Sequence, residues 1–63
     1  MDFQKARESV KMTQQAAADI FGVSRTAVAM WETGKSLPRA ELLPLIAQTY
    51  GCEISELLGN TPT

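Results

Sequence analysis

Three glycines, Gly22, Gly34 and Gly51, each follow a run of helix-forming residues, and two of those runs open on a capping side chain, Thr13 or Ser24. Glycine takes the left-handed backbone that closes a helix without steric cost, and a Ser or Thr oxygen accepts from the free N–H groups that open one. This punctuation divides the chain into short helices. Strand-like alternation of β-branched residues is missing, while Ala, Leu, Gln and Glu dominate, so the fold class is all-α. Phe3, Ala6, Arg7 and Val10 share one helical face, which predicts a first helix over residues 2–10 with Asp2 near its start. The second runs from Gln14 to Phe21, with Met12 ahead of its cap as a hydrophobic staple. The third runs from Arg25 to Thr33, with Ala27, Val28 and Trp31 on one face and Arg25, Thr26, Ala29 and Thr33 on the other. Residues 35–39 form a loop. A fourth helix is expected over 41–50, with Pro44 in its first turn, and a fifth over 54–58. Phe3, Met12, Phe21, Trp31, Leu43, Ile46, Tyr50, Cys52, Leu57 and Leu58 are the expected core; residues 1–58 make one domain and 59–63 a short polar tail.

Several function classes are excluded early. Sixty-three residues allow one small domain, which buries only about 60% of its unfolded surface. No run approaches ~18 apolar residues, and the amino terminus has no secretory pattern. A single cysteine and no histidine leave no internal disulfide, no ordinary zinc site and none of the common catalytic triads. The expectation is a cytoplasmic, non-enzymatic protein without cofactor or metal.

The net charge of −1 argues at first against a nucleic-acid partner, but the charges are unevenly placed. All six cations (Lys5, Arg7, Lys11, Arg25, Lys35, Arg39) fall within residues 1–39 against four acids, for +2, whereas residues 40–63 carry Glu41, Glu53 and Glu56, for −3. Such a molecule can turn one side to a polyanion.

The most specific pattern joins helices two and three. Ala18, then Gly22 four residues on, then Val28 six further, is the spacing of a DNA-binding helix-turn-helix. Ala18 is small because the next helix crosses close over it, Gly22 permits the reversal, and Val23 and Val28 fill the angle between the helices. The amino-terminal end of the second helix then projects outward, where a major groove would receive it.

Residues 13–28 (TQQAAADIFGVSRTAV) and 31–35 (WETGK) resemble the phage-repressor/Cro family of XRE-like regulators. Residues 43–47 (LPLIA), 50–54 (YGCEI) and 56–58 (ELL) are similar to that family's fourth and fifth helices. The resemblance implies a compact five-helix, lambda-repressor-like domain that binds double-stranded DNA as a transcription regulator, most simply a repressor. Its DNA-facing positions are Gln14, Ser24, Arg25, Thr26, Ala29, Lys35 and Arg39. Gln14 would reach a phosphate or brace the reading helix; Arg25, Thr26 and Ala29 would face base edges; Lys35 and Arg39 would flank the groove on phosphates. The chemistry agrees, since Arg bonds guanine bidentately and a methyl group packs on thymine. The family also implies an Arg7–Glu32 ion pair and a homodimer on near-palindromic sites, expected here around residues 50–58. Two residues depart from the family pattern: Ala17 replaces a large aliphatic and Ile20 a polar residue, so Phe21 or Ile20 should fill the core beside helix two. A different reading keeps the fold but gives it a protein partner, such as a toxin or a polymerase subunit; the acidic total favours it and Arg25 with the basic loop opposes it.

Overall fold

A computed structural model describes residues 3–57. Five α-helices follow in order: α1 Phe3–Ser9, α2 Gln14–Phe21, α3 Arg25–Thr33, α4 Leu43–Tyr50 and α5 Ile54–Leu57, with a single 3₁₀ turn, Ala40–Leu42, leading into α4. No strand occurs among the described residues. Asp2, Leu58 and the expected tail at 59–63 lie outside them.

The caps fall where the sequence places them. Thr13 Oγ1 accepts from Ala16 N–H at 3.0 Å and Ser24 Oγ from Ala27 N–H at 3.1 Å, opening α2 and α3. Gly22 (φ +69°) and Gly34 (φ +82°) close those helices in the left-handed conformation. Two boundaries differ from expectation. The first helix stops at Ser9, and Lys11 takes a left-handed turn at φ +58°, donating from its N–H to Glu8 C=O at 3.0 Å. That turn carries Val10 off the apolar face, leaving it 40% exposed. The fourth helix begins at Leu43 rather than residue 41, because Pro44 has no N–H to offer Ala40 C=O and the preceding residues tighten into the 3₁₀ turn.

The core contains Phe3, Ala17, Ala18, Phe21, Val28, Trp31, Ile46, Ala47, Tyr50 and Leu57. Its centre is an aromatic chain linking four helices: Phe3 lies 6.2 Å from Trp31, Trp31 6.1 Å from Phe21, and Phe21 meets Tyr50 edge-on at 5.6 Å. Tilted and edge-on rings at such separations place a positive rim against a negative face. Phe21 turns into the core along with Ala17, and Ile20 turns outward at 48% exposure. Met12, Leu43 and Cys52 pack against the core only half-buried. Trp31 is therefore a packing residue. Its position fixes α3 against α1 and α2, which holds the opposite face of α3 outward.

Candidate nucleic-acid interface

The outward face of α3 begins at its amino terminus. Ser24, Arg25 and Thr26 are exposed there, Ala29 is half-buried one turn on, and Met30 is exposed beside it. The first N–H groups of a helix carry partial positive charge that favours an anion. Ser24 uses an oxygen lone pair to cap α3, which leaves its hydroxyl proton free to donate. Lys35 is exposed just past the other end of α3, and Arg39 is exposed at the cap of the 3₁₀ turn. Lys35 follows the left-handed Gly34, and its N–H folds back to donate to Met30 C=O at 3.0 Å. Neither Lys35 nor Arg39 forms an ion pair among the described residues.

Behind this surface lies a continuous polar network. Arg7 of α1 donates through Nε to Glu32 Oε2 at 2.6 Å and through Nη2 to Glu32 Oε1 at 3.2 Å, a two-pronged pair with α3. Its Nη1 donates to Met12 C=O at 2.7 Å, holding the turn between α1 and α2. The two side chains keep only 11% and 4% of their surface exposed. Donation to the Glu32 carboxylate raises the Arg7 pKa above its ordinary value, against the opposing effect of burial. Gln14, half-buried at the start of α2, donates from Nε2 to the same Glu32 Oε1 at 2.9 Å. Its Oε1 accepts from Arg25 Nη1 at 3.5 Å, a loose contact. Thus the structure joins Gln14 directly to Arg25, sets Ser24 and Thr26 beside them, and leaves Lys35 and Arg39 as separate flanking cations.

The electrostatic consequence is local. Between residues 20 and 40 the cations are Arg25, Lys35 and Arg39, and the sole carboxylate is Glu32. That carboxylate is buried against Arg7. The exposed charge on α3 and the loop after it is wholly positive, whatever the net charge of the chain.

A helix-turn-helix family profile matches residues 3–57, nearly the whole chain. The chain belongs to the XRE-type helix-turn-helix family. Among family relatives, the HTH-type transcriptional activator BcrR of Enterococcus faecalis is 40% identical over 57 residues, covering 90% of this chain and 28% of the relative. The cryptic phage CTXphi transcriptional repressor RstR of Vibrio cholerae is 37% identical over 57 residues, covering 90% of this chain and 51% of the relative. The chain therefore spans about half or less of the length of these relatives. No solved structure matches the chain.

Sequence reasoning found the Arg7–Glu32 pair but missed that Glu32 also binds Gln14. The available signal was the fold itself: α2 starts where α1 and α3 converge, so a long polar side chain at its first residue meets whatever polar group joins them. No helix of the described residues is long and apolar enough to cross a membrane.

Proposed function

We propose that this chain is the DNA-binding unit of a transcription regulator that inserts the amino-terminal end of α3 into the major groove. Arg25 reads guanine, Gln14 braces it from the start of α2, Thr26 and Ala29 make smaller contacts with neighbouring bases, and Ser24, Lys35 and Arg39 hold the sugar-phosphate backbone. The observation that carries this reading is the all-positive exposed charge of α3 and its following loop, with the one nearby carboxylate locked to Arg7. Family membership and relatives named as transcription regulators support it.

The unit acts in the cytoplasm as a repressor, occluding a promoter where its site overlaps one, and as a homodimer on near-palindromic sites with half-sites ~34 Å apart. Within residues 50–57 the core already uses Tyr50 and Leu57, which leaves exposed Ile54, together with Leu45, as the apolar surface for pairing. The functional groups need no cofactor or metal, and no step of the proposed role is catalytic.

The test is selection of binding sites from random duplex DNA, followed by gel shifts at two salt concentrations. Enrichment of a two-fold site containing guanine in each half supports the reading. Absence of any enriched sequence, with binding no tighter than to bulk DNA, overturns it and favours a protein partner.

A further inference from the structure

Gln14 sits between a carboxylate and a guanidinium, and this fixes which way its amide faces. Nε2 points to Glu32 Oε1 at 2.9 Å and Oε1 to Arg25 Nη1 at 3.5 Å. The reversed amide would press an oxygen against the carboxylate and an N–H against the guanidinium, two repulsive contacts in place of two attractive ones. We propose that Glu32, held by Arg7, is a positioning residue for Arg25: it locks the Gln14 amide with its oxygen outward and so restrains the guanidinium before DNA arrives.

This role deepens the DNA-reading assignment of Arg25 and rests on it. An exposed arginine loses rotamer freedom on being fixed, and a partner that narrows its choices beforehand reduces that loss at the moment of binding. The restraint is set from inside the protein. Three helices contribute, with Arg7 from α1, Gln14 from α2 and Glu32 and Arg25 from α3, so the direction of the reading side chain depends on how those helices pack. The lock also limits what position 25 can hold. Gln14 offers only an acceptor there, so a donor such as Arg or Lys is accommodated and an Asp or Glu is repelled.

The test pairs two variants with two measurements. Gln14→Met removes the acceptor while retaining the volume and leaving the Arg7–Glu32 pair intact. Glu32→Gln removes the charge and one of the two oxygens that accept from Arg7 Nε, Arg7 Nη2 and Gln14 Nε2, which weakens the hold on the Gln14 amide. The first measurement is ¹⁵N relaxation of Arg25 Nε in the free protein, taken only for variants whose helical signal matches wild type. The second is preference at the selected guanine, of order 5- to 150-fold for a bidentate arginine.

The expected result is greater Arg25 mobility in both variants, with at least ~3-fold loss of discrimination at that one position and an unchanged profile elsewhere. Combining the variants should add nothing further, because both act through the same amide. Unchanged Arg25 mobility in Gln14→Met overturns the proposal even if Glu32→Gln fails to fold. Uniformly weaker binding with the guanine preference intact also overturns it, since Gln14 is then a backbone contact. Failure of the wild-type protein to select any sequence defeats the DNA reading itself, and the specificity role with it, even where Arg25 is restrained as expected.

Discussion

Removing Glu32 leaves three donors facing a non-polar side chain: Arg7 Nε, Arg7 Nη2 and Gln14 Nε2. Arg7 keeps only its bond to Met12 C=O. A buried donor left unsatisfied costs ~1–3 kcal/mol, more when charged, and breaking one side of a buried ion pair costs ~3–5 kcal/mol. Some relief comes from the 11% of Arg7 that still meets water, so about 3 kcal/mol is the working figure for Glu32→Leu. A 63-residue domain has only about 3–9 kcal/mol in total. The single variant should therefore retain only about 0–6 kcal/mol of that stability. Arg7→Met should cost a similar amount, since Glu32 retains only Gln14 as a donor and Met12 C=O loses its partner. The double variant Arg7→Met/Glu32→Leu removes both charges and should cost less than the sum by at least ~2 kcal/mol, because apolar replacement of a whole buried pair is often close to neutral. Urea titrations followed by helical circular dichroism, with sucrose added to keep the single variants folded, measure the cycle. Coupling within about 0.5 kcal/mol of zero would refute the argument and reduce the pair to an ordinary surface contact.

Lys11 pays the left-handed backbone strain of a residue with a Cβ, so Lys11→Gly should raise thermal stability slightly, by ~0.5 kcal/mol after the entropy of glycine is deducted; a fall in Tm would contradict it. The Tyr50 hydroxyl is buried with no hydrogen-bond partner among the described residues, so Tyr50→Phe should be neutral or stabilising in chemical denaturation. Burial, then the charge of Glu32, pushes the Tyr50 pKa up to about 12. An acid whose folded pKa lies above its unfolded value keeps its full contribution below pH 10 and loses it as pH climbs toward 12. The wild type should accordingly lose stability over that interval relative to Tyr50→Phe, and parallel curves would count against the buried hydroxyl. Lys35→Ala and Arg39→Ala should each weaken binding to all DNA and flatten the slope of log affinity against log salt by ~0.9, measurable by fluorescence anisotropy.

How much was legible before the structure depended on the range of the interactions. Thr13, Gly22, Ser24 and Gly34 act on their own turn of helix, and all four are visible in sequence and correct in place. Val10 was misread because a periodic stripe shows no sign of where a helix without a glycine stops; Lys11 terminates α1 in a conformation that its residue type disfavours. Pro44 fitted the first turn in either register, so the displacement of α4 by two residues needed the three-dimensional turn. Competition for the core also decides which of two apolar neighbours turns in, and Phe21 wins over Ile20 because its ring bridges Trp31 and Tyr50.

The candidate surface can be named from the sequence, but its local charge cannot. Summed along the chain, the carboxylates outnumber the cations, and the halves differ by position in sequence rather than in space. What matters to a phosphate is the exposed charge within about a Debye length, ~8 Å at physiological salt. Glu32 is the one acid on α3, and pairing with Arg7 removes it from that account without removing it from the helix. The same bond therefore joins α1 to α3, cancels the carboxylate carried by the proposed reading helix, and holds the group that Gln14 bonds. Loss of Arg7 should thus weaken DNA binding even under conditions where the variant remains folded, because a released Glu32 would face the phosphates unpaired.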